Sequence, residues 1–326
     1  MPCRNEAQAI RHLLEALASQ TLPANDFEVV IADGMSEDGT RGVIQDFAQL
    51  HTFLRVIVVE NPDQSIPAGL NRAIKESRGE TIIRIDAHSE PSPNYLERCI
   101  LALRTTGAAN VGGVWEIQPS NEGWVSRSIA TAAAHPMTAG DARYRTGGSA
   151  GEVDTVPFGA FPRTWIDRVG GYDQSLLSNE DYELNVRLRM AGGKIWFDPS
   201  IRSTYLARGD LRSLAQQYFR YGFWKAHMLR KHPGSIRWRQ IMPPLSLLLV
   251  VSFAAASVFI HRMLNVLGLL IALYSTVLII AGSMQGIRRK DATLLVGFPL
   301  SVLIMHASWG SGFWVGLLGF PFRKLG

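Results

Sequence analysis

The sequence predicts an α/β fold with a mostly parallel sheet, followed by helices that cross a membrane. Up to about residue 240, short apolar runs typical of strands alternate with amphipathic segments typical of helices. From Ile241 onward this alternation stops, and long apolar stretches without charge follow. The first two stretches are each about 20 residues long, which is the length of a helix that spans a bilayer.

The first part of the chain alternates between the two periodicities. Its opening segment places Ile10, Leu13, Leu14 and Leu17 on one face, as a helix does. In order, we predict a helix over 6–20, a strand over 27–33, a helix over 36–50, a strand over 54–61, a helix over 66–77, a strand over 80–88, a helix over 93–105 and a strand over 109–119. Further on, we predict a strand and a short helix within 154–173 and helices over 178–193 and 211–232, and residues 120–155 have no clear pattern.

Composition narrows the class of protein. The chain has 326 residues, a net charge of +5 and basic residues that are spread along it, so nucleic acid is not indicated as a partner, whereas an anionic substrate or membrane surface is compatible. Cys3 and Cys99 are the only cysteines, which supports neither a disulfide framework nor a zinc site. We expect a reducing compartment for the globular part.

The membrane region predicts a topology. Two spans, over 242–260 and 263–284, form a hairpin whose flanks are rich in arginine and lysine, which places the globular domain in the cytosol. The stretch 293–320 contains Pro299 and a glycine-rich second half. It forms either a third span or a bent or re-entrant pair of helical segments. We favour the pair because it keeps Arg323 and Lys324 on the cytosolic side of the membrane. The predicted divisions are a globular domain over 1–208, an amphipathic interfacial helix within 209–240 and a membrane region over 241–326.

Polar side chains follow the predicted strands, and ligands bind beyond the carboxyl ends of parallel strands. Asp86 and His88 alternate along an extended end and so share one side, where a carboxylate and an imidazole suit Mn²⁺. Asp33 ends another strand, where it can accept from a base N–H or a ribose hydroxyl. The alternatives are surface decoration for the first pair and an ordinary turn capped by Asp38 for the second.

Two later motifs complete the set. Glu180 and Asp181 stand at a helix start, where one acid can serve as a general base, although good N-terminal residues of a helix look the same. Gln217, Arg220 and Tyr221 lie within one helical turn, where amide and guanidinium groups can grip a diphosphate and an aromatic ring can stack on a sugar. The alternative is a basic helix that rests on a membrane surface.

Together, in this order, the four motifs resemble the family-2 inverting glycosyltransferases of the GT-A fold, the Rossmann-like fold of nucleotide-diphospho-sugar transferases. The resemblance extends from Pro2 to near the C-terminus and is greatest to the succinoglycan-type membrane glucosyltransferases. The D-x-D metal motif of that family corresponds to 86–88, and its acidic base motif to 180–181. Its Q-x-x-R-W motif corresponds to 217–221, with Tyr221 in place of tryptophan.

The resemblance implies a UDP-sugar donor, glucose as the transferred sugar, and a β-linkage formed by inversion. It implies Asp181, with Glu180, as the base, Asp86 beside the ribose and diphosphate, and His88 as a metal ligand that favours Mn²⁺ over Mg²⁺. It assigns the nucleotide sugar to a wider set, which comprises Pro2, Arg4, Glu6, Asp33, Asn71, Asp86, Gln217 and Arg220. The implied acceptor, near Tyr221, is a saccharide on a polyprenyl diphosphate or a polysaccharide.

One departure from the family concerns the first strand. In the family an apolar strand precedes the motif that begins here at Pro2. We therefore expect residues 1–4 to form a short strand between two longer ones. We also expect that the start codon is assigned too late. This departure keeps open a second hypothesis, a membrane-anchored sugar-nucleotide-binding protein without turnover. A processive polysaccharide synthase is a third.

Overall fold

A computed structural model describes residues 1–320. The chain forms two compact units, one from residues 1–116 and 147–205 and the other from 117–146 together with the chain from Leu206 onward. Most of the stretch without a clear sequence pattern therefore belongs with the C-terminal helices and not with the globular domain predicted over 1–208. The described strands and helices up to residue 207 are β1 Pro2–Cys3, α1 Ile10–Ala18, β2 Glu28–Asp33, α2 Thr40–Leu50, β3 Arg55–Glu60, α3 Ile66–Glu76, β4 Thr81–Ile83, β5 Glu90–Pro91, α4 Tyr95–Thr106, β6 Asn110–Pro119, α5 Trp124–Ala133, α6 Pro136–Ala139, α7 Arg143–Thr146, β7 Gly151–Glu152, β8 Ala160–Pro162, α8 Arg163–Val169, α9 Glu180–Met190 and β9 Ile195–Ala207.

The first unit contains a parallel sheet of three strands in the order β1-β2-β3. The apolar face predicted for α1 is buried, and β2 contributes Ile31 to the same core. β1 pairs with β2 alone among the described strands, with Pro2 opposite Ala32, so it lies at an edge. The prediction that it lies between two longer strands is therefore wrong, because β4 pairs with β8.

The second sheet of this unit has the order β4-β8-β6-β9-β5, with β7 also paired to β9. Its pairings of β8 with β4 and β6, and of β9 with β5 and β7, are antiparallel. The sheet architecture is thus mixed, with parallel pairing among the three N-terminal strands and antiparallel pairing at these four contacts of the second sheet. β6 passes very close to β9, since a Cβ on Gly113 would lie 1.8 Å from the Ile201 carbonyl oxygen.

The second unit contains α10 Leu211–Lys231, α11 Trp238–Ser257, α12 Arg262–Arg289 and α13 Leu294–Leu317. By length and composition, α11, α12 and α13 can each cross a membrane. α13 is one continuous helix that contains Pro299, so the favoured bent or re-entrant pair is wrong. Arg323 and Lys324, on which that preference depended, lie outside the described residues.

The glycines of α13 form a packing surface for α10. A Cβ on Gly312 would lie 2.1 Å from the Phe219 carbonyl oxygen, and one on Gly316 would lie 2.6 Å from that of Phe223. From the other side, a Cβ on Gly222 would lie 2.1 Å from the Trp309 carbonyl oxygen. Small residues allow two helices to approach closely in a membrane, so these glycines do not break the helix.

Candidate active site

The chain leaves β4 with Arg84, whose backbone N–H donates to the Gly159 carbonyl at 3.0 Å and so extends the pairing with β8 by one residue. The regular strand ends at Ile83, and Asp86 and Ala87 enter a turn that the Ser89 N–H closes on the Asp86 carbonyl at 2.9 Å. The predicted strand over 80–88 is therefore too long. In a turn, side chains do not alternate as they do along a strand, so Asp86 and His88 are not placed on one side by alternation.

Arg84 is the centre of a buried charge cluster. Its Nε lies 3.1 Å from Asp86 Oδ1, and its Nη2 lies 3.3 Å from Asp86 Oδ2 and 2.9 Å from Glu180 Oε1. The Arg84 side chain is only 5% exposed, and that of Glu180 is 8% exposed. Burial alone would lower the pKa of the guanidinium, but the two carboxylates outweigh burial and hold that pKa well above its usual value.

Two aromatic rings flank the guanidinium. The Arg84 Cζ atom lies 5.8 Å from the centre of the Phe158 ring and 5.7 Å from that of Tyr172, within the range of cation–π contacts. Phe158 has a φ of +59°, which is costly for a residue with a side chain. The following Gly159 has a φ of +95° and leaves no room for a Cβ beside Asn110.

Glu180 and Asp181 begin α9, where the positive end of the helix dipole favours acids. Glu180 pairs with Arg84, whereas Asp181 forms no ion pair within residues 1–320, and its Oδ1 accepts from the Tyr182 N–H at 2.7 Å. The Asp181 carboxyl is largely surrounded by protein although the residue keeps some exposed surface. Burial first, and then repulsion from Glu180, raise the pKa of Asp181 to about 6, against the attraction of Arg84.

The sequence patterns assign no role to Arg84, Phe158 or Tyr172, and the family resemblance assigns Asn71 to the nucleotide. Asn71 Nδ2 donates to the Tyr172 carbonyl at 2.8 Å, and Asn71 Oδ1 accepts from the Tyr172 N–H at 2.7 Å. Both polar atoms of Asn71 thus hold the loop that carries Tyr172. A signal for Arg84 was present, because a charged residue inside the apolar run of 81–85 needs a buried partner.

Asp33 is completely buried at the end of β2. Its carboxylate accepts from the Ser36 hydroxyl at 2.5 Å and forms an ion pair with Arg41. Burial would raise the pKa of Asp33, but the contacts with Ser36 and Arg41 prevail and lower it. Asp38 accepts from Thr40, as the ordinary turn interpretation expects. A nucleotide at Asp33 would therefore share the carboxylate with these partners.

The N-terminal motif folds onto the same loop. The Glu6 N–H donates to Thr40 Oγ1 at 2.9 Å, and a Cβ on Gly34 would lie 3.1 Å from the Cβ of Arg4. Glu6 Oε1 lies 3.4 Å from His88 Nδ1, so the structure brings the predicted metal ligand beside a carboxylate of this motif. The side chain of His88 is 55% exposed.

In the second unit, the Q-x-x-R-Y motif lies on α10. Gln217 Nε2 donates to the Tyr221 hydroxyl at 3.0 Å, and Gln217 is nearly buried. Tyr218, between them, accepts from Arg145 Nη1 at 3.0 Å and meets the ring of Tyr221 edge-on. The amide and the aromatic residue that the sequence paired are thus in contact.

Residues 1–170 match the domain described as glycosyl transferase family 2. The chain belongs to this family. It is 31% identical to the succinoglycan biosynthesis protein ExoA of Rhizobium meliloti over 325 residues, which cover 99% of this chain and 95% of that one. The family-2 chain is therefore a glycosyltransferase, as the sequence predicted.

Solved structures confirm the GT-A fold. A mannosyltransferase of Pyrobaculum calidifontis, in complex with GDP-Man and Mn²⁺, superposes with a TM-score of 0.62 at 19% identity, covering 93% of this chain and 85% of that one. TarS of S. aureus (residues 1–349), in complex with UDP, superposes with a TM-score of 0.52 at 16% identity, covering 70% of this chain and 63% of the TarS chain. The mixed sheet of the first unit, with helices at the C-terminus, accords with this fold.

Proposed function

We propose that this glycosyltransferase transfers a sugar from a UDP-sugar to a membrane-linked saccharide, with inversion at the anomeric carbon. The transferred sugar of this proposal is glucose, and the product is part of an exopolysaccharide or another surface glycan. One observation carries the proposal. Arg84 joins Asp86 of the metal motif to Glu180, and Glu180 stands next to Asp181 in the chain. The two motifs that transfer requires therefore meet in one charge cluster.

Asp181 is the general base of this proposal. Glu180 is held by Arg84, so its carboxylate is engaged, whereas Asp181 has no cationic partner within the described chain. With a pKa of about 6, Asp181 is mostly ionised at neutral pH and accepts a proton more readily than an ordinary aspartate. It takes the proton of the acceptor hydroxyl while that oxygen bonds to the anomeric carbon and the bond to the diphosphate breaks. Attack from the side opposite an α-linked diphosphate gives a β-linkage.

A divalent ion is part of the proposal. Within residues 1–320 no three His, Cys, Asp or Glu side chains form a group that could hold a metal alone. Asp86 and His88 are proposed as two ligands, with diphosphate oxygens as the others. Their donor atoms suit such an ion, because a carboxylate oxygen that accepts from Arg84 keeps a second lone pair. When bound there, Mn²⁺ or Mg²⁺ would neutralise charge on the leaving diphosphate.

The donor nucleotide is proposed as UDP. The two related structures contain GDP-Man and UDP, respectively, so the fold accommodates both kinds of nucleotide. The groups proposed near the nucleotide are Pro2, Arg4, Glu6 and Asp33, whereas Asn71 now acts through Tyr172. Gln217 and Arg220 are proposed at the diphosphate, and Tyr221 at the acceptor.

The membrane helices support a lipid-linked acceptor, because an enzyme held by its own helices meets substrates that lie in the same plane. We propose a polyprenyl-diphosphate saccharide in the inner membrane and a catalytic unit on the cytosolic side, where sugar nucleotides are made. Arginine and lysine flank the outer ends of the α11–α12 hairpin, as cytosolic loops do. A third span, α13, then places the C-terminus on the opposite side.

The test is a donor panel. Membranes containing the chain are incubated with labelled UDP-glucose, UDP-galactose, UDP-N-acetylglucosamine and GDP-mannose and with lipid-linked acceptors, and the Asp181→Asn variant serves as the inactive control. The proposal is supported if the parent chain transfers sugar from a UDP-sugar and the Asp181→Asn variant does not. Transfer from GDP-mannose alone would contradict the UDP assignment. A reporter fused after Gly326 tests topology, and a cytosolic signal would contradict three spans with a cytosolic catalytic unit.

A further inference from the structure

The guanidinium of Arg84 has an unused donor. A guanidinium carries five N–H groups in a fixed plane. Nε and Nη2 engage Asp86 and Glu180, as described above. Nη1 is buried and has no hydrogen-bond partner within residues 1–320. The rings of Phe158 and Tyr172 lie 5.8 and 5.7 Å from Cζ, and the Tyr172 hydroxyl interacts with the guanidinium. Within residues 1–320, however, Nη1 itself forms no hydrogen bond with that hydroxyl or with any other acceptor.

Leaving such a group unpaired is unfavourable. A buried donor without a partner loses its hydration and gains nothing in exchange, and the loss is larger for a charged group. The left-handed backbone at Phe158, beside the guanidinium, is a second unfavourable feature at the same place. Such features concentrate where a protein binds a ligand. An oxygen atom of a substrate would complete the hydrogen bonding of Nη1.

The surroundings indicate which oxygen. Arg84 carries one positive charge, and Asp86 and Glu180 carry two negative charges around it, so the cluster does not attract a further anion. Glu180 precedes Asp181, and the proposed base must work at the anomeric carbon. The ring of the transferred sugar, and not the diphosphate, therefore lies on the side of Glu180.

We propose that Arg84 binds the transferred sugar, with Nη1 donating a hydrogen bond to one of its hydroxyl groups while Nε and Nη2 hold Asp86 and Glu180. This inference rests on the proposed function. It makes Arg84 a determinant of sugar specificity, because a sugar with the hydroxyl missing or in the opposite orientation leaves Nη1 unpaired.

The test measures binding of UDP and of UDP-glucose to the purified full chain by calorimetry. Arg84→Lys keeps the charge but cannot reach three partners at once. Because the substitution also weakens the hold on Asp86, affinity for UDP should decrease, but we expect affinity for UDP-glucose to fall roughly 10- to 100-fold more. Equal losses for both ligands, or no loss for either, would overturn the inference.

Arg163→Lys is the matched control. Arg163 also binds through its whole guanidinium, but its partners are oxygens of Ile74, Ser77 and Gly79. We expect it to leave both affinities unchanged. A parent chain that binds neither UDP nor UDP-glucose would contradict the proposed function and this inference with it, whereas a parent that binds both, with parallel losses in Arg84→Lys, contradicts this inference only.

A second measurement uses the parent chain, in case Arg84→Lys does not fold. A set of UDP-glucose analogues, each lacking one sugar hydroxyl, is titrated in turn. One analogue should bind roughly 10-fold more weakly or worse than UDP-glucose, as expected for loss of a hydrogen bond to a charged group. If every analogue binds as well as UDP-glucose, no hydroxyl contact of this kind exists and the inference is wrong.

Discussion

Replacing Asp181 with asparagine should abolish transfer and at the same time stabilise the protein at neutral pH. The amide has nearly the same shape but cannot accept the proton, so we expect the rate of transfer to fall by roughly 10²- to 10⁴-fold, the usual contribution of a general base. Binding of UDP should be retained, because the substitution does not alter the contacts of Asp86 with Arg84.

The stabilisation follows from the raised pKa. The pKa of the Asp181 carboxyl rises from 3.8 to about 6 in the folded chain, chiefly through burial. The folded state therefore binds a proton more tightly than the unfolded state, and its stability decreases as the pH rises from about 4 to about 6. A pKa change of about two is worth about 3 kcal/mol, and the partly exposed side chain reduces that figure, so we expect a gain of about 1–3 kcal/mol at pH 7.5.

The assay is thermal unfolding of the detergent-purified chain at pH 4 and at pH 7.5. Asp181→Asn should raise the midpoint at pH 7.5 and change it much less at pH 4, because pH 4 is so close to the unfolded pKa of 3.8 that little of the difference in proton binding remains. Asp167→Asn, an exposed change on α8 in the same unit, should have no such effect. If Asp181→Asn lowers the midpoint at pH 7.5, the argument from burial is wrong, and if Glu180→Gln alone is inactive, the two acids have opposite roles.

Three further predictions concern the metal, the Tyr172 loop and the helix packing. A chelator should abolish transfer, and Mn²⁺ should restore it better than Mg²⁺. His88→Asp should shift the preference toward Mg²⁺, since imidazole suits the softer ion. An enzyme that is insensitive to the chelator would contradict the metal assignment. Asn71→Ala removes two hydrogen bonds to the Tyr172 backbone and should lower the free energy of unfolding by about 1–3 kcal/mol, measured with denaturant; an unchanged midpoint would refute that role. Gly312→Ala should reduce the yield of folded protein in membranes, because its Cβ meets a backbone oxygen of α10, whereas Gly268→Ala, in open space on α12, should not; equal yields would rule out the close helix packing.

The order of elements could be predicted because each depends on local periodicity. Ile10, Leu13, Leu14 and Leu17 are buried together as their spacing predicts. The pairing of strands could not be predicted in this way. β4 pairs with β8, about 80 residues later in the chain, and an apolar run shows neither which strand will lie beside it nor in which direction. For the same reason the sequence did not show that β1 would lie at an edge.

The membrane helices show how one residue type has two meanings. Pro299 and the glycines of α13 are typical of a break in a helix, and that interpretation favoured the bent pair. In the structure the proline stands in the second turn of one continuous helix, and the glycines lie against backbone carbonyls of α10. A glycine that permits a turn and a glycine that permits close packing look identical until the neighbouring helix is known.

The two interpretations of Glu180 and Asp181 prove compatible. Acids at the start of α9 are favoured by the helix dipole whatever their function, which is why the motif alone does not indicate a base. Arg84, about 100 residues earlier in the chain, makes the two acids different, because it pairs with Glu180 and not with Asp181. Glu180 then carries a neutralised charge, while Asp181 is left with burial and a negative neighbour, the two influences that raise its pKa. The helix start makes two adjacent carboxylates tolerable, and a distant arginine pairs with only one of them. The proposed chemistry of the site therefore depends on a contact that no local pattern contains.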